Sequence, residues 1–108
     1  MIRFLQRLFF GFGTERSPEW SKVRSEHIKK QPYCQACGRK TNLEVHHIVP
    51  VHLDRTKELD PNNLITLCGK YCHLAIGHLM DTYSWNINVI EDAKIFLNKV
   101  KNRPYKNS

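Results

Sequence analysis

Two short cysteine loops carry the first chemical signal in this chain: Cys34-Gln35-Ala36-Cys37-Gly38, and the one-residue-wider Cys68-Gly69-Lys70-Tyr71-Cys72. Each spacer is short enough for two sulfurs to converge on one ion without strain. Two such pairs can therefore close a tetrahedral four-thiolate zinc site, with sulfurs about 2.3 Å from the metal and no open position. That would be a structural site. Four free core cysteines, or a redox pair at Cys34 and Cys37, are the alternatives; two independent close pairs favour zinc. The second signal lies between and beside the pairs. His46-His47 end an apolar stretch ahead of Pro50, Asn63 follows in a loop, and His73 comes directly after Cys72. Neutral imidazole is both a base at cellular pH and a common metal ligand. A single histidine is usually structural, but this grouping has the parts for metal-assisted hydrolysis: a base to activate water, and a cation to neutralise developing negative charge.

The elements that must position these groups are short and separated by turn chemistry. Ser17-Pro18-Glu19-Trp20 reads as a helix start, with serine at the N-cap and proline at the first position, and predicts a helix over Pro18 to Lys29 that Pro32 ends. Lys22, Arg24, Lys29 and Lys30 on its faces suit either plain solvation or phosphate contact. Leu43 to Val49 reads as a strand stopped by Pro50, and Leu64 to Leu67 as a second, with Asp60-Pro61-Asn62-Asn63 between them. A helix over Tyr71 to Met80 would close the unit. After a turn at Asn86 to Asn88, the helical spacing of Val89, Ala93, Phe96, Leu97 and Val100 predicts a last helix packed on the domain.

The order Glu44-Val45-His46-His47-Ile48-Val49-Pro50, then Asn62-Asn63-Leu64-Ile65-Thr66-Leu67-Cys68, then Cys72-His73, closely resembles the HNH endonucleases of the ββα-metal class, in their zinc-containing bacterial and phage form. The likeness extends to Ser17-Pro18-Glu19-Trp20, to Cys34 and Cys37 and to Gly77-His78, over roughly residues 16 to 90. It implies an α+β chain: a small ββα-metal fold with a four-cysteine zinc site (Cys34, Cys37, Cys68, Cys72) and flanking N- and C-terminal helices. It also implies that His46 and His73 bind the catalytic ion, that His47 is the general base, and that Asn63 orients His47. Many relatives carry aspartate where His46 stands, so this chain resembles the double-histidine subset, as in the colicin nucleases. The ion would be Mg²⁺, Mn²⁺, Ni²⁺ or Zn²⁺, imidazole ligands weighing against Mg²⁺ alone.

Adjacent strand residues face opposite ways, so His46 and His47 should diverge, with the scissile phosphate between metal and base. His78 is a further ligand candidate, but five residues on a regular helix turn it about 140° from His73. His52 reads first as loop surface, with phosphate contact as the alternative, and His27 as helix surface.

Length and charge bound the rest. One compact domain fits in 108 residues, and its core would be thin enough to need a staple. The net charge of +7 favours a polyanionic partner. We expect an N-terminal amphipathic segment over residues 1–16, the nuclease domain over 17–103 and a basic tail over 104–108. Met1 to Gly13 is interrupted by Arg7 and too short to span a bilayer, which points to a cytoplasmic protein with reduced thiols. The expected partner is DNA held mainly through its phosphates, with no membrane and no small-molecule cofactor, and the oligomeric state is open. The rival readings are a basic zinc module that binds nucleic acid without cutting it, and a protein-interaction adaptor. Neither requires His46, His47, Asn63 and His73 together.

Overall fold

The computed structural model describes residues 15–105, so the expectations for Met1 to Gly13 and for the last three residues lie outside what it describes. In chain order the elements are helix α1 (Trp20–Lys30), strand β1 (Leu43–His47), 3₁₀ turns at Arg55–Lys57 and Pro61–Asn63, strand β2 (Leu64–Cys68), a π-helical turn (His73–Gly77) and helix α2 (Val89–Lys101). The architecture is α+β, with flanking helices around two antiparallel strands.

Helix α1 starts two residues later than the proline suggested. Ser17 and Pro18 form a turn instead: the Trp20 amide donates to the Ser17 carbonyl and the Glu19 amide to the Ser17 hydroxyl. The helix ends where Gln31 turns its side chain inward, its Oε1 accepting the Thr66 amide at 3.0 Å. That bond ties α1 to β2 through a group that would otherwise leave a strand donor unpaired.

The strands pair from Leu43↔Cys68 through Val45↔Thr66 to His47↔Leu64. Alternation sends His46 and His47 to opposite faces. His47 stacks on Trp20 of α1, ring centroids 4.5 Å apart, while His46 meets His73 and His78 of the π turn at 4.9 and 4.8 Å. β1 stops at His47 rather than Val49 because its partner runs into the 3₁₀ turn; the Val49 amide is taken by the Asn63 side chain instead of a strand carbonyl.

The core is small and partly built from thiols. Cys34, Ala36, Ile65, Leu67, Cys68, Cys72, Val89 and Ala93 form one buried cluster. α2 joins it through Val89 and Ala93, and Asn86 fixes that docking: its amide donates to the Gly77 carbonyl, and its Nδ2 to the Ile76 carbonyl and the Asp92 carboxylate.

The expected helix from Tyr71 to Met80 is where the structure departs most from a regular pattern. The His78 amide donates to the His73 carbonyl, five residues back, at 3.0 Å. Leu79 and Met80 then take left-handed backbone conformations (φ 53° and 71°) that end the helix.

Candidate active site

The four cysteine sulfurs gather within 4.8 Å of one another, with Cys34, Cys68 and Cys72 buried and Cys37 partly so. Cys37 Sγ lies 3.7 Å from Cys68 Sγ. The edge of a tetrahedron of sulfurs about 2.3 Å from its centre is about 3.8 Å, so the spacing suits one zinc. Each knuckle also aims a backbone amide at a sulfur: Cys37 N–H at Cys34 Sγ and Cys72 N–H at Cys68 Sγ, both 3.4 Å. Burial works against the Cys68 thiolate, but hydrogen bonds from the amides of Cys72 and Tyr71 and from the Cys72 and Cys37 thiols together bring it down to about 7, while burial and the neighbouring thiols push Cys37 and Cys72 up. Four thiolates this close repel one another unless a cation sits among them.

On the far side of Cys72 the π turn forms a second cluster. His46, His73 and His78 each bring a ring nitrogen within 4.8 Å of the other two. On a regular helix His78 would sit away from His73, but the i→i+5 hydrogen bond of the π turn widens the pitch so that residues five apart share a face. The spacing that counted against His78 is thus accommodated by the helix type.

The other nitrogen of the two turn histidines is tied down. His73 Nδ1 donates to Glu44 Oε1 at 2.8 Å and His78 Nδ1 to the Ser84 carbonyl at 2.7 Å, which leaves each Nε2 as a lone pair for an ion. Glu44 lies two residues before His46 on β1, on the same face of the strand, an alternation readable in the sequence though not used there. His46 Nε2 is buried without a hydrogen-bond partner. Burial, reinforced by His73, His78 and His47, holds this imidazole neutral down to about 3. A buried, neutral, unpartnered nitrogen beside two more suits a cation and little else. The donor set therefore fits a divalent ion that accepts imidazole.

His47 is built differently. Its Nε2 lies 2.9 Å from the Glu58 carbonyl, and because a carbonyl only accepts, Nε2 carries the proton and Nδ1 keeps its lone pair. Burial shifts its pKa down, which favours the neutral form. Asn63 does not touch this ring. Its Oδ1 accepts the Val49 amide at 2.8 Å, and its Nδ2 donates to the carbonyls of Val49 at 3.0 Å and Lys57 at 3.1 Å. Asn63 thereby pins the segment whose next carbonyl, that of Glu58, orients His47. The resemblance implied that Asn63 orients His47; the hydrogen bonds of its side chain run to backbone groups.

Glu58 was not singled out in the sequence, yet it is buried at 4% exposure. Its carboxylate accepts the Ser17 amide at 2.7 Å, holding the chain ahead of α1 against the loop. Arg16, next in line, stacks over Trp20 at 5.8 Å. Arg16, His46, His47, His73 and His78 all line one cavity of about 310 Å³. His52 lines it as well, while His27 hydrogen-bonds Gln31 and lies apart.

Residues 34–79 match the family model of the HNH endonucleases. This segment is an HNH endonuclease domain. It contains both cysteine pairs, the two strands and the π turn, the ββα-metal arrangement, while α1 and α2 lie outside the matched stretch. Comparisons with curated proteins and with solved structures gave no match. An HNH endonuclease domain implies nuclease chemistry, hydrolysis acting on a nucleic acid. No helix of the described residues is long and apolar enough to cross a membrane.

Proposed function

We propose that this protein is a metal-dependent endonuclease that hydrolyses DNA phosphodiester bonds with one catalytic divalent ion and His47 as general base. One observation carries the reading. The free Nδ1 of His47 belongs to a ring that lines the same cavity as the His46, His73 and His78 cluster, from the opposite face of β1. A phosphate seated in that cavity would lie between the base and the ligands, an arrangement suited to in-line attack by water.

The roles of the chain's own groups follow. His47 Nδ1 takes the proton of the attacking water, and the Glu58 carbonyl steadies the imidazolium that results. Arg16, exposed and stacked over Trp20, supplies a positive charge at the cavity wall for a phosphate oxygen. His46, His73 and His78 would hold the ion, which when bound supplies charge neutralisation at the phosphoryl and leaving oxygens. Three imidazoles favour Mn²⁺, Ni²⁺ or Zn²⁺ over Mg²⁺ alone. Cys34, Cys37, Cys68 and Cys72 would hold a structural zinc that ties the start of β1 to the π turn. With a net charge of +7, binding is dominated by phosphate contacts and weakens steeply with salt.

The test is supercoiled plasmid incubated with Mn²⁺, Mg²⁺ or Ni²⁺, which should pass to open-circular and then linear DNA, with no reaction in excess EDTA. His47→Ala should lower the rate about 10²- to 10⁴-fold while zinc content and DNA affinity hold. Wild-type protein that binds DNA yet nicks it with none of these ions, across pH and salt, would replace the reading with a non-cutting zinc module.

A further inference from the structure

The two clusters touch at a residue that belongs to neither. Gly69 sits between Cys68 and Cys72 in the second knuckle, its amide bonded to the Asn42 carbonyl at 2.8 Å. A Cβ there would lie 2.7 Å from Glu44 Cδ and 2.8 Å from Oε1. Oε1 is the atom that accepts the His73 Nδ1 proton. The space a side chain would need is thus filled by the carboxylate that orients a histidine of the other cluster.

We propose that Gly69 is a positioning residue for the histidine site, coupling the cysteine knuckle to the ion held by His46, His73 and His78; this rests on the metal reading above. The knuckle loop is joined covalently to the π turn at Cys72-His73 and packs on Glu44 through Gly69, so it reaches His73 from both sides. With glycine, the carboxylate sits close against the loop and accepts the hydrogen bond of His73 Nδ1, holding the ring's proton on Nδ1 and its lone pair on Nε2. Any side chain at 69 evicts the carboxylate. The eviction is cheap for the fold, because the obstructing atoms end a flexible side chain that is about half exposed (48%), and costly for the site, because His73 loses its partner. The unusual width of this knuckle gives Gly69 its place: the loop carries one more residue than the Cys34–Cys37 knuckle.

The experiment is calorimetric titration of zinc-loaded protein with Ni²⁺ alone, comparing wild type, Gly69→Ala, Glu44→Ala and the double variant. Loss of such an outer partner typically weakens metal binding about 10- to 100-fold. We expect Glu44→Ala to fall in that range and Gly69→Ala to weaken Ni²⁺ binding about 10-fold. The double variant should bind no more weakly than Glu44→Ala, since Gly69 acts through Glu44. Zinc per chain by elemental analysis, and the thermal midpoint, should stay near wild type in Gly69→Ala. Ni²⁺ affinity unchanged in Gly69→Ala overturns the proposal, as do losses in the double variant that multiply. A Gly69→Ala protein that sheds zinc or fails to fold also overturns it, because a movable carboxylate and not the backbone must give way. Wild-type protein that takes up no ion beyond its zinc overturns the metal reading and this proposal with it; binding in wild type with none of these differences overturns this one alone.

Discussion

Replacing Asn63 with aspartate isolates what this asparagine does, because the two side chains differ only in an NH₂ for an oxygen. Oδ1 could still accept the Val49 amide. The other position would turn from a donor into an acceptor facing the carbonyls of Val49 at 3.0 Å and Lys57 at 3.1 Å, at a site only 5% exposed. Two hydrogen bonds at about 0.5–1.5 kcal/mol each are lost, and the Val49 carbonyl is left without the donor it had. Burying the new charge adds to this, for a total of about 2–4 kcal/mol. A small domain is stable by about 5–15 kcal/mol, so the variant should fold yet unfold early. With a urea dependence of about 1–3 kcal/mol per molar, the midpoint should fall by about 0.7–4 M in zinc-saturated protein. Tryptophan fluorescence is a suitable probe, since Trp20 stacks on His47. Cleavage should fall along with stability, because the Lys57-Glu58 segment loses its anchor and the His47 ring its fixed acceptor. If Asn63→Asp cut DNA no longer while its midpoint stayed within about 0.3 M of wild type, Asn63 would be acting on the substrate, and the pinning argument would be wrong.

Cys72→Ser should release the structural zinc and either abolish soluble expression or lower the melting temperature sharply, measured by elemental analysis and thermal unfolding; zinc retained at one per chain would contradict the four-thiolate site. His78→Ala should weaken Ni²⁺ or Mn²⁺ activation of cleavage at least 10-fold in a metal titration while sparing the zinc, and an unchanged activation curve would remove His78 from the ligand set. Because burial lowers the His47 pKa, the base stays neutral until the pH drops below the ordinary imidazole value of about 6.5. At saturating metal, kcat/KM should therefore hold through neutrality and fall only below that value, and a half-maximum above pH 7 would speak against His47 as base.

Much of the framework was readable from local pattern. The strand at Leu43 to His47 and its partner at Leu64 to Cys68 follow from apolar runs bounded by turn residues, and α2 from the spacing of Val89, Ala93 and Leu97. The cysteine pairs announced their cluster because ligand spacing is a local property. Three features were hidden for a common reason: they depend on what the chain meets after folding. Glu58 gives no local sign that its carboxylate will receive Ser17 and its carbonyl His47. Asn63 looked like a partner for the base because it lies near it in the fold, but an amide has as many uses for backbone as for imidazole. His78 was weighed down as a ligand candidate by the geometry of a regular helix, and no single residue in His73-Leu74-Ala75-Ile76-Gly77 marks the wider pitch. A hint lay in Gly77, where a Cβ would stand 3.2 Å from the His46 ring.

The π turn also bears on how such sites should be sought in other chains. On an α-helix, residues four apart share a face; here histidines five apart do so because the hydrogen-bond ring has grown by one residue. Spacing and helix pitch are interchangeable, so one inserted residue need not cost a ligand. A search that fixes the interval between the two turn histidines would pass over this sequence, whereas one that lets the interval and the helix type vary together would retain it. The same exchange gives protein designers a way to insert or delete a residue beside a metal while leaving its coordinating atoms where they were.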